Sequence, residues 1–595
     1  MKNNKLIFGN DLNLGISSQT KQSVMLSRDA RATHLYVTGA TGSGKSKFLE
    51  HLIWQDIVAW PKSKCGMLVL DPHGALYDNL MARLAWHEYP GSIQRPIVPI
   101  DLRRDDWIIG YNLLRQRKGG DPAVIVNNFV TAIAHVWGKE GTTETPLFAR
   151  WVANILNTLY EKKLTLIEAE HLIDIVGKDL RRALTHDLKN RGTVQDWRFG
   201  DTLTTKDFYN EVSSTVNRLK PFLSTQILRQ MFGQDQASLD LAEALDQGQI
   251  ILVNLSPAHG HISEDDASLF ATILLSDLWT AARQRGKPRD ARELRPFYVY
   301  MDECQRMLTP SIAQNLDEAR GYGLHLTLAN QYPNQFLHAG GVNGKRIYDS
   351  VMLNARSKVV FAMEGGQEYL RPLAESLFMG TMSPDKKKHE LYSTKVMDYV
   401  EETRTVTTKS KTRGRGEGTH QGEAGGRGLG GTDNYLNYDD TDPTSRSESE
   451  SGFASRSTAR TESSSESESE SESEVPMLIP QMGKELSSVQ FESLDEQLFR
   501  AMAAFHDQEQ RHFCARIIGS KVPVSVATPL LRDVPSTKER IERYVLKFIQ
   551  QQPFALSRCE AERAIARRGK IVADLVYQGT GEPTTIRRAI PRAKI

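Results

Sequence analysis

The stretch Gly39-Ala-Thr-Gly-Ser-Gly-Lys-Ser46 constrains this chain more than any other part of it. It follows the short apolar run Leu35-Tyr36-Val37 and precedes Phe48, Leu49, Leu52 and Ile53, which recur at helical spacing. Every fixed position of G-x-x-x-x-G-K-[ST] is filled, in the strand–loop–helix setting that gives the pattern its meaning. Gly42 and Gly44 let the backbone turn so that N–H groups converge on a phosphate, within a cradle running from Gly39 through Thr41 and Ser43. Lys45 is placed to reach the β- and γ-phosphates, and the Ser46 hydroxyl to bind Mg²⁺. The helix that follows points its positive end at the same anion. A bound nucleoside triphosphate with Mg²⁺ is the expectation, which leaves open what the nucleotide is used for.

Hydrolysis needs a carboxylate for the metal and a base for water. The run Phe297-Tyr-Val-Tyr-Met-Asp-Glu303 supplies both at the carboxyl tip of a strand, where ligands gather in parallel α/β sheets. Asp302 is placed to hold the Mg²⁺ water shell, and Glu303 to orient and deprotonate the attacking water. The next strand, "LHLTLANQ", ends in Gln331, whose amide can touch both water and phosphate and report hydrolysis. Arg320 lies eleven residues earlier, at a helix end, where its local reading is a surface arginine capping that helix.

Strands and helices alternate along most of the chain. "CGMLVLDPHG" ends in Asp71 at another strand tip, and "QIILVNLS", "PFYVYMDE", "LHLTLANQ" and "SKVVFAME" follow later. This spacing predicts a mostly parallel, doubly wound α/β sheet. Residues 1–34 read as a β-rich lead-in, and 35–145 and 236–400 as two parts of the nucleotide-binding domain. Between them a break around 119–145 gives way to an all-helical insertion over 146–235. From 401 to 475 the chain turns Arg/Gly-rich and then alternates Ser and Glu, with too few apolar residues to bury, so disorder is expected. A small, partly helical C-terminal region at 476–595 completes the reading.

With 595 residues, two to four domains are expected. The formal net charge of +2 announces no nucleic-acid partner, although a channel can be basic on its inner wall alone. Cys65, Cys304, Cys514 and Cys559 form no C-x-x-C pair, so neither a zinc site nor a disulfide framework is suggested. The N-terminal residues lack a signal-peptide core, and no uncharged run approaches the roughly 20 apolar residues that span a bilayer. A cytoplasmic protein is expected, with recruitment to the inner membrane left to a partner.

"HLYVTGATGSGKS", "LVLDPHG", "YVYMDE" and "ARGYGLHLTLANQ", in this order around a helical insertion, resemble the type IV coupling proteins of conjugation and secretion systems. These belong to the wider FtsK/HerA-like group of DNA-pumping ATPases. The resemblance covers roughly residues 1–400, with a weaker echo at about 475–535. It implies a RecA-like core, ATP and Mg²⁺ as cofactors, a hexameric ring, and translocation of single-stranded or relaxase-bound DNA. Secretion-channel or relaxosome proteins are the implied partners. It also implies an arginine that completes the ATP site of a neighbouring subunit. Arg320 matches that finger by its distance from Gln331, and Arg356 in "LNARSKVVF" is a second candidate. Typical membrane-bound members begin with transmembrane helices, which this chain lacks, and the Ser/Glu segment is foreign to the family core. Two other readings stay open: a cytosolic HerA-like motor working with a nuclease in DNA processing or defence, and an ATP-gated adaptor that recruits substrate without pumping.

Overall fold

The computed structural model of the chain describes residues 10–87, 96–116, 122–137, 146–174, 177–286, 294–314, 316–339, 343–413 and 466–580. They form two units, one comprising the chain up to Ser383 together with the chain from Ser493 onward, the other spanning Pro384–Glu492.

An eleven-stranded sheet organises the first unit. Its strands are β1 (Leu12–Ser17), β2 (Ser23–Leu26), β3 (Leu35–Thr38), β4 (Gly66–Asp71), β5 (Ile97–Asp101), β7 (Ile250–Asn254), β8 (Phe297–Met301), β9 (Leu324–Asn330), β10 (Ser357–Phe361), β13 (His512–Arg516) and β14 (Val524–Ala527). Across the sheet they run β2-β1-β14-β13-β10-β3-β9-β8-β4-β7-β5. From β10 to β5 all neighbours are parallel. Strands β3, β4, β7, β8, β9 and β10 are buried along their whole length, as near-continuous Val/Ile/Leu/aromatic runs must be when helices cover both faces. The phosphate-loop strand β3 lies beside β9, with β8 beyond it, the order of a RecA-like P-loop core. This brings the carboxyl ends of β3, β9 and β8 to one rim.

The other edge differs from the sequence reading. The lead-in strands β1 and β2 and the C-terminal strands β13 and β14 form one antiparallel extension that joins the core through β13 and β10. Within the small C-terminal region, β13 and β14 are therefore strands of the same sheet as the core. Beyond the sheet, β15 (Ala555–Ser557) pairs with β6 (Trp107–Ile109), and the buried Arg568 Nε donates to Glu168 Oε1 at 2.9 Å. Local pattern could not reveal this, because each C-terminal strand is too short to announce a partner hundreds of residues away.

Helices fill the interval Pro146–Phe232: Pro146–Glu161, Ala169–Ile173, Lys178–Thr185, Arg191–Thr202, Thr205–Ser224 and Gln226–Phe232. Trp151 and Trp197 pack as tilted rings 5.2 Å apart in their core, and the Trp197 indole donates to Thr158 at 2.9 Å. The break read at 119–145 instead contains the helix Pro122–Trp137, which packs on the helix Glu264–Gln284; residues 138–145 lie outside the described set. Among the described residues, no helix is long and apolar enough to cross a membrane.

A buried lock sets the angle of the phosphate-loop helix. Arg31 donates to both Asp56 oxygens at 2.9 and 2.5 Å, and Tyr300 on β8 donates to Asp56 at 2.6 Å. The Arg31 guanidinium also lies 3.5 Å above the Tyr298 ring. Each charge is paired and hydrogen-bonded, which is the condition for burying it.

The second unit is a single antiparallel hairpin of β11 (Lys387–Arg413) and β12 (Glu466–Phe491). The expectation of disorder over 401–475 is corrected at both ends, where 401–413 and 466–475 are paired strand; residues 414–465 lie outside the described set. The β-branched run Thr405-Val-Thr-Thr408 favours extended backbone. Opposite charges meet across the ladder, Lys395 with Glu485 at 3.0 Å and Lys409 with Glu470. Composition alone hid this, because pairing of polar strands depends on register and not on apolar content.

Candidate nucleotide-binding site

The phosphate loop bends on Gly42 and Gly44, at φ of 82° and 106°. Gly39 is required by a close approach: a Cβ there would lie 2.5 Å from the Phe361 Cβ on β10. The helix Lys45–Ser63 starts directly after the loop, with Gly44 as its N-cap and no side-chain capping bond. Its first-turn N–H groups are thus left for an anion. Thr41 and Ser46 are exposed on the loop, while Ser43 is buried and its hydroxyl has no hydrogen-bond partner among the described residues.

The acidic pair reaches this loop from β8. Asp302 N–H donates to Leu70 O at 3.2 Å, which ties the end of β8 to β4. Glu303 then adopts the left-handed conformation, φ 47° and ψ 48°, and turns its side chain toward the loop. A non-glycine residue held there is strained by about 1 kcal/mol or more, a cost typical of functional turns. Lys45 Nζ lies 3.4 Å from Glu303 Oε1 and 3.6 Å from Asp302 Oδ1, and the Ser46 hydroxyl lies 3.4 Å from Asp302 Oδ2. Gln331 Nε2 donates to Glu303 Oε1 at 3.2 Å. Its position is fixed by Thr38 Oγ1, which donates to Gln331 O at 3.0 Å. Five residues drawn from three strand ends thus converge on one point.

Four neighbours of the site escaped the sequence reading. Gln305, on the short turn after Glu303, donates to Glu303 Oε2 at 2.7 Å. Its only sequence signal is a polar amide two residues past the acidic pair. His73, in the "DPHG" turn after β4, places Nε2 at 4.0 Å from Glu303 Oε1. That turn is built by Asp71, which accepts from the N–H groups of His73 and Tyr77 at 3.0 and 2.9 Å. Gln510 and Arg511 approach the loop from the C-terminal segment, and no local pattern marks them.

Burial pushes the Glu303 carboxyl up, but the Lys45 ammonium, aided by Gln305, Gln331 and His73, outweighs it and holds the acid below its ordinary range. Burial raises the Asp71 carboxyl despite the N–H groups of Tyr77, His73 and Gly74, with Asp302 acting in the same direction as burial. Glu303 is therefore ionised at neutral pH.

Arg320 and Arg356 are not brought to this point within the chain. Arg320 is exposed in the turn Arg320–Tyr322 that precedes β9, so it lies at the opposite end of β9 from Gln331, a strand roughly 20 Å long. Arg356 is exposed just before β10, on the same far rim, where its N–H donates to Thr33 O at 3.0 Å.

Residues 13–103 match the family model of the HerA helicase central domain. Among solved structures, the unbound bacterial conjugative coupling protein TrwBdeltaN70 aligns at 14% identity and a TM-score of 0.48, covering 90% of this chain and 96% of that one. The plasmid coupling protein TrwB in complex with a non-hydrolysable ATP analogue aligns at 12% identity and a TM-score of 0.47, covering 89% and 96%. VirB4 of Thermoanaerobacter pseudethanolicus aligns at 14% identity and a TM-score of 0.40, covering 63% and 89%. Curated proteins give no significant match. With the phosphate loop and the acidic strand end that meets it, the sheet of this chain is a P-loop ATPase core, and residues 13–103 within it match the HerA helicase central domain.

Proposed function

We propose that the chain is an ATP-driven DNA translocase that delivers DNA to a conjugative, type IV secretion apparatus. The observation that carries the motor part is the convergence of Lys45, Ser46, Asp302, Glu303 and Gln331 within hydrogen-bonding or ion-pair reach. The order of the four sequence motifs carries the conjugative part.

The donor set suits ATP with Mg²⁺. A hydroxyl and a carboxylate are hard oxygen ligands of the kind that Mg²⁺ accepts beside phosphate, and the loop offers free N–H groups to the phosphates. Ser46 and Asp302 would hold the metal, which neutralises phosphate charge when bound. Lys45 binds the β- and γ-phosphates and, in doing so, gives up its hold on Glu303. Glu303 takes the proton from the attacking water, while Gln305 keeps the carboxylate oriented. Gln331, hydrogen-bonded to the same carboxylate, senses whether the γ-phosphate is present. Arg320 acts on the site of a neighbouring subunit in a ring, with DNA in the channel and secretion-channel or relaxosome proteins as partners. Arg356 is the alternative for that role.

A second reading keeps the motor and changes its task. The match of residues 13–103 to a HerA helicase domain suits this reading as well as the first: a cytosolic DNA-pumping ATPase that works with a nuclease. Neighbouring genes separate the two: a relaxase and channel components support the first, a nuclease the second. A recruiting adaptor without pumping has less support, because a switch does not need the base that Glu303 provides.

The experiment is ATP hydrolysis with and without DNA, with a native mass measured under the same conditions. DNA-stimulated turnover by an oligomer is expected. Turnover indifferent to DNA would sink the translocase, and no turnover would sink the ATPase.

A further inference from the structure

The segment that begins β13 is stitched to the phosphate loop from a distance of 468 residues. Gln510 Nε2 donates to Gly42 O at 3.0 Å, and the Arg511 N–H donates to Ser43 O at 2.9 Å. Arg511 is itself left-handed, at φ 69°, and its carbonyl accepts from Thr528 N–H at 3.0 Å. Its backbone and Cγ lie so near the loop that a Cβ on Gly44 would meet them at 3.3 Å. The same segment grips the first turn of the loop helix. Phe513 packs 5.0 Å from both Phe48 and Phe361, and Lys47 Nζ lies 2.7 Å from Asp533 Oδ1.

This placement is over-determined for the backbone and leaves one group unused. Among the described residues the half-buried Arg511 side chain pairs with no carboxylate and donates no hydrogen bond. An arginine whose backbone and Cγ the fold brings to the lip of an anion cradle in a strained backbone conformation, with its guanidinium unpartnered, fits a ligand that brings its own acceptors.

The sheet order says which part of the ligand. Glu303 and Gln331 mark the γ-phosphate side, toward β9 and β8, whereas β10 and β13 lie on the other side of β3. A triphosphate with its γ end at Glu303 therefore extends its nucleoside end toward the start of β13. We propose that Arg511 binds the nucleoside-monophosphate part of the nucleotide, so that the C-terminal segment completes the site in the same chain. The inference rests on the reading of Gly39–Ser46 as the nucleotide site.

The test uses the full-length chain and equilibrium binding of ADP and of a non-hydrolysable ATP analogue. Arg511→Ala should weaken both ligands by about tenfold or more, the loss typical of a charge-assisted contact, and by similar factors. In steady-state turnover the loss should appear in the KM for ATP more than in kcat, because no reacting group is touched. Arg511→Gly relieves the left-handed strain while removing the guanidinium, and should give the same loss with an unchanged melting temperature. Arg511→Lys, which keeps the charge, should recover part of it. Unchanged affinity in the Ala and Gly variants would overturn the assignment. A loss confined to the ATP analogue would overturn it too, because it would put Arg511 at the γ-phosphate. A parent chain that binds neither nucleotide would instead sink the nucleotide-site reading itself.

Discussion

Lys45 Nζ and Glu303 Oε1 stand 3.4 Å apart although 258 residues separate them in the chain. The residues proposed as phosphate-binding cation and base are thus each other's partner, and both side chains are almost fully buried. In the proposed mechanism a γ-phosphate competes with Glu303 for Lys45, so that nucleotide binding and release of the base are one event, and the carboxylate stays engaged until there is substrate to hydrolyse.

Glu303→Gln should therefore separate binding from chemistry. Hydrolysis is expected to fall at least about a hundredfold, since only the general base is lost. Affinity for ATP should hold or rise, because the neutral amide no longer competes for Lys45. Rapid-quench turnover and equilibrium binding on the same preparation check both halves. Normal turnover would place the base elsewhere.

Gln305→Leu keeps the volume of the side chain and removes the 2.7 Å donor to Glu303. A base freed to swing off line should cost about tenfold to a hundredfold in turnover with little change in ATP affinity. Combined with Glu303→Gln, the second substitution should cost almost nothing more, because both act through one carboxylate. Additive losses, or a drop in binding instead of rate, would make Gln305 a packing residue.

Arg320 lies on the rim away from its own phosphate loop, so any catalytic role must be in a neighbour. Arg320→Ala should keep ATP affinity and assembly but lose most DNA-stimulated hydrolysis, roughly a thousandfold for a finger supplied in trans. Mixing it with Lys45→Ala should restore some activity, since an intact Lys45 site can then face an intact Arg320. If the mixture stays dead while subunits exchange, Arg320 is only the end of its helix, and Arg356 inherits the test.

His34 reports on the fold in a pH-dependent way. Burial, with Arg320 nearby, lowers its pKa to about 4, although Leu316 O and Asp317 act the other way. The ring is neutral, with Nε2 at 2.6 Å from Leu316 O and Nδ1 accepting from Leu326 N–H at 3.1 Å. Below the ordinary value of about 6.5 the unfolded chain takes up a proton that the folded chain refuses, so stability falls as the pH drops from there toward 4. The contribution is on the order of 3 kcal/mol. His325, buried beside it, is shifted in the same direction. His34→Asn, which tolerates the left-handed φ of 62°, should flatten the melting temperature between pH 6.5 and 4 relative to the parent. Parallel curves would exclude His34 as a source of the slope.

The sequence by itself determined the parts whose physics is local. A phosphate loop needs its glycines, Lys45 and Ser46 within eight consecutive positions, so one short stretch displays the whole device. A buried parallel strand writes itself as an apolar run, and an acidic pair at its tip, as at Asp302-Glu303, shows which end carries chemistry. Tertiary structure alone decided what depends on pairing at long range. That β13 and β14 complete the sheet edge begun by β1, and that Gln510 and Arg511 come to rest on the loop, follows from strand register and aromatic packing around Phe48, Phe361 and Phe513. The hairpin of β11 and β12 likewise rests on which polar residue faces which, and register is a property of two strands that neither carries alone.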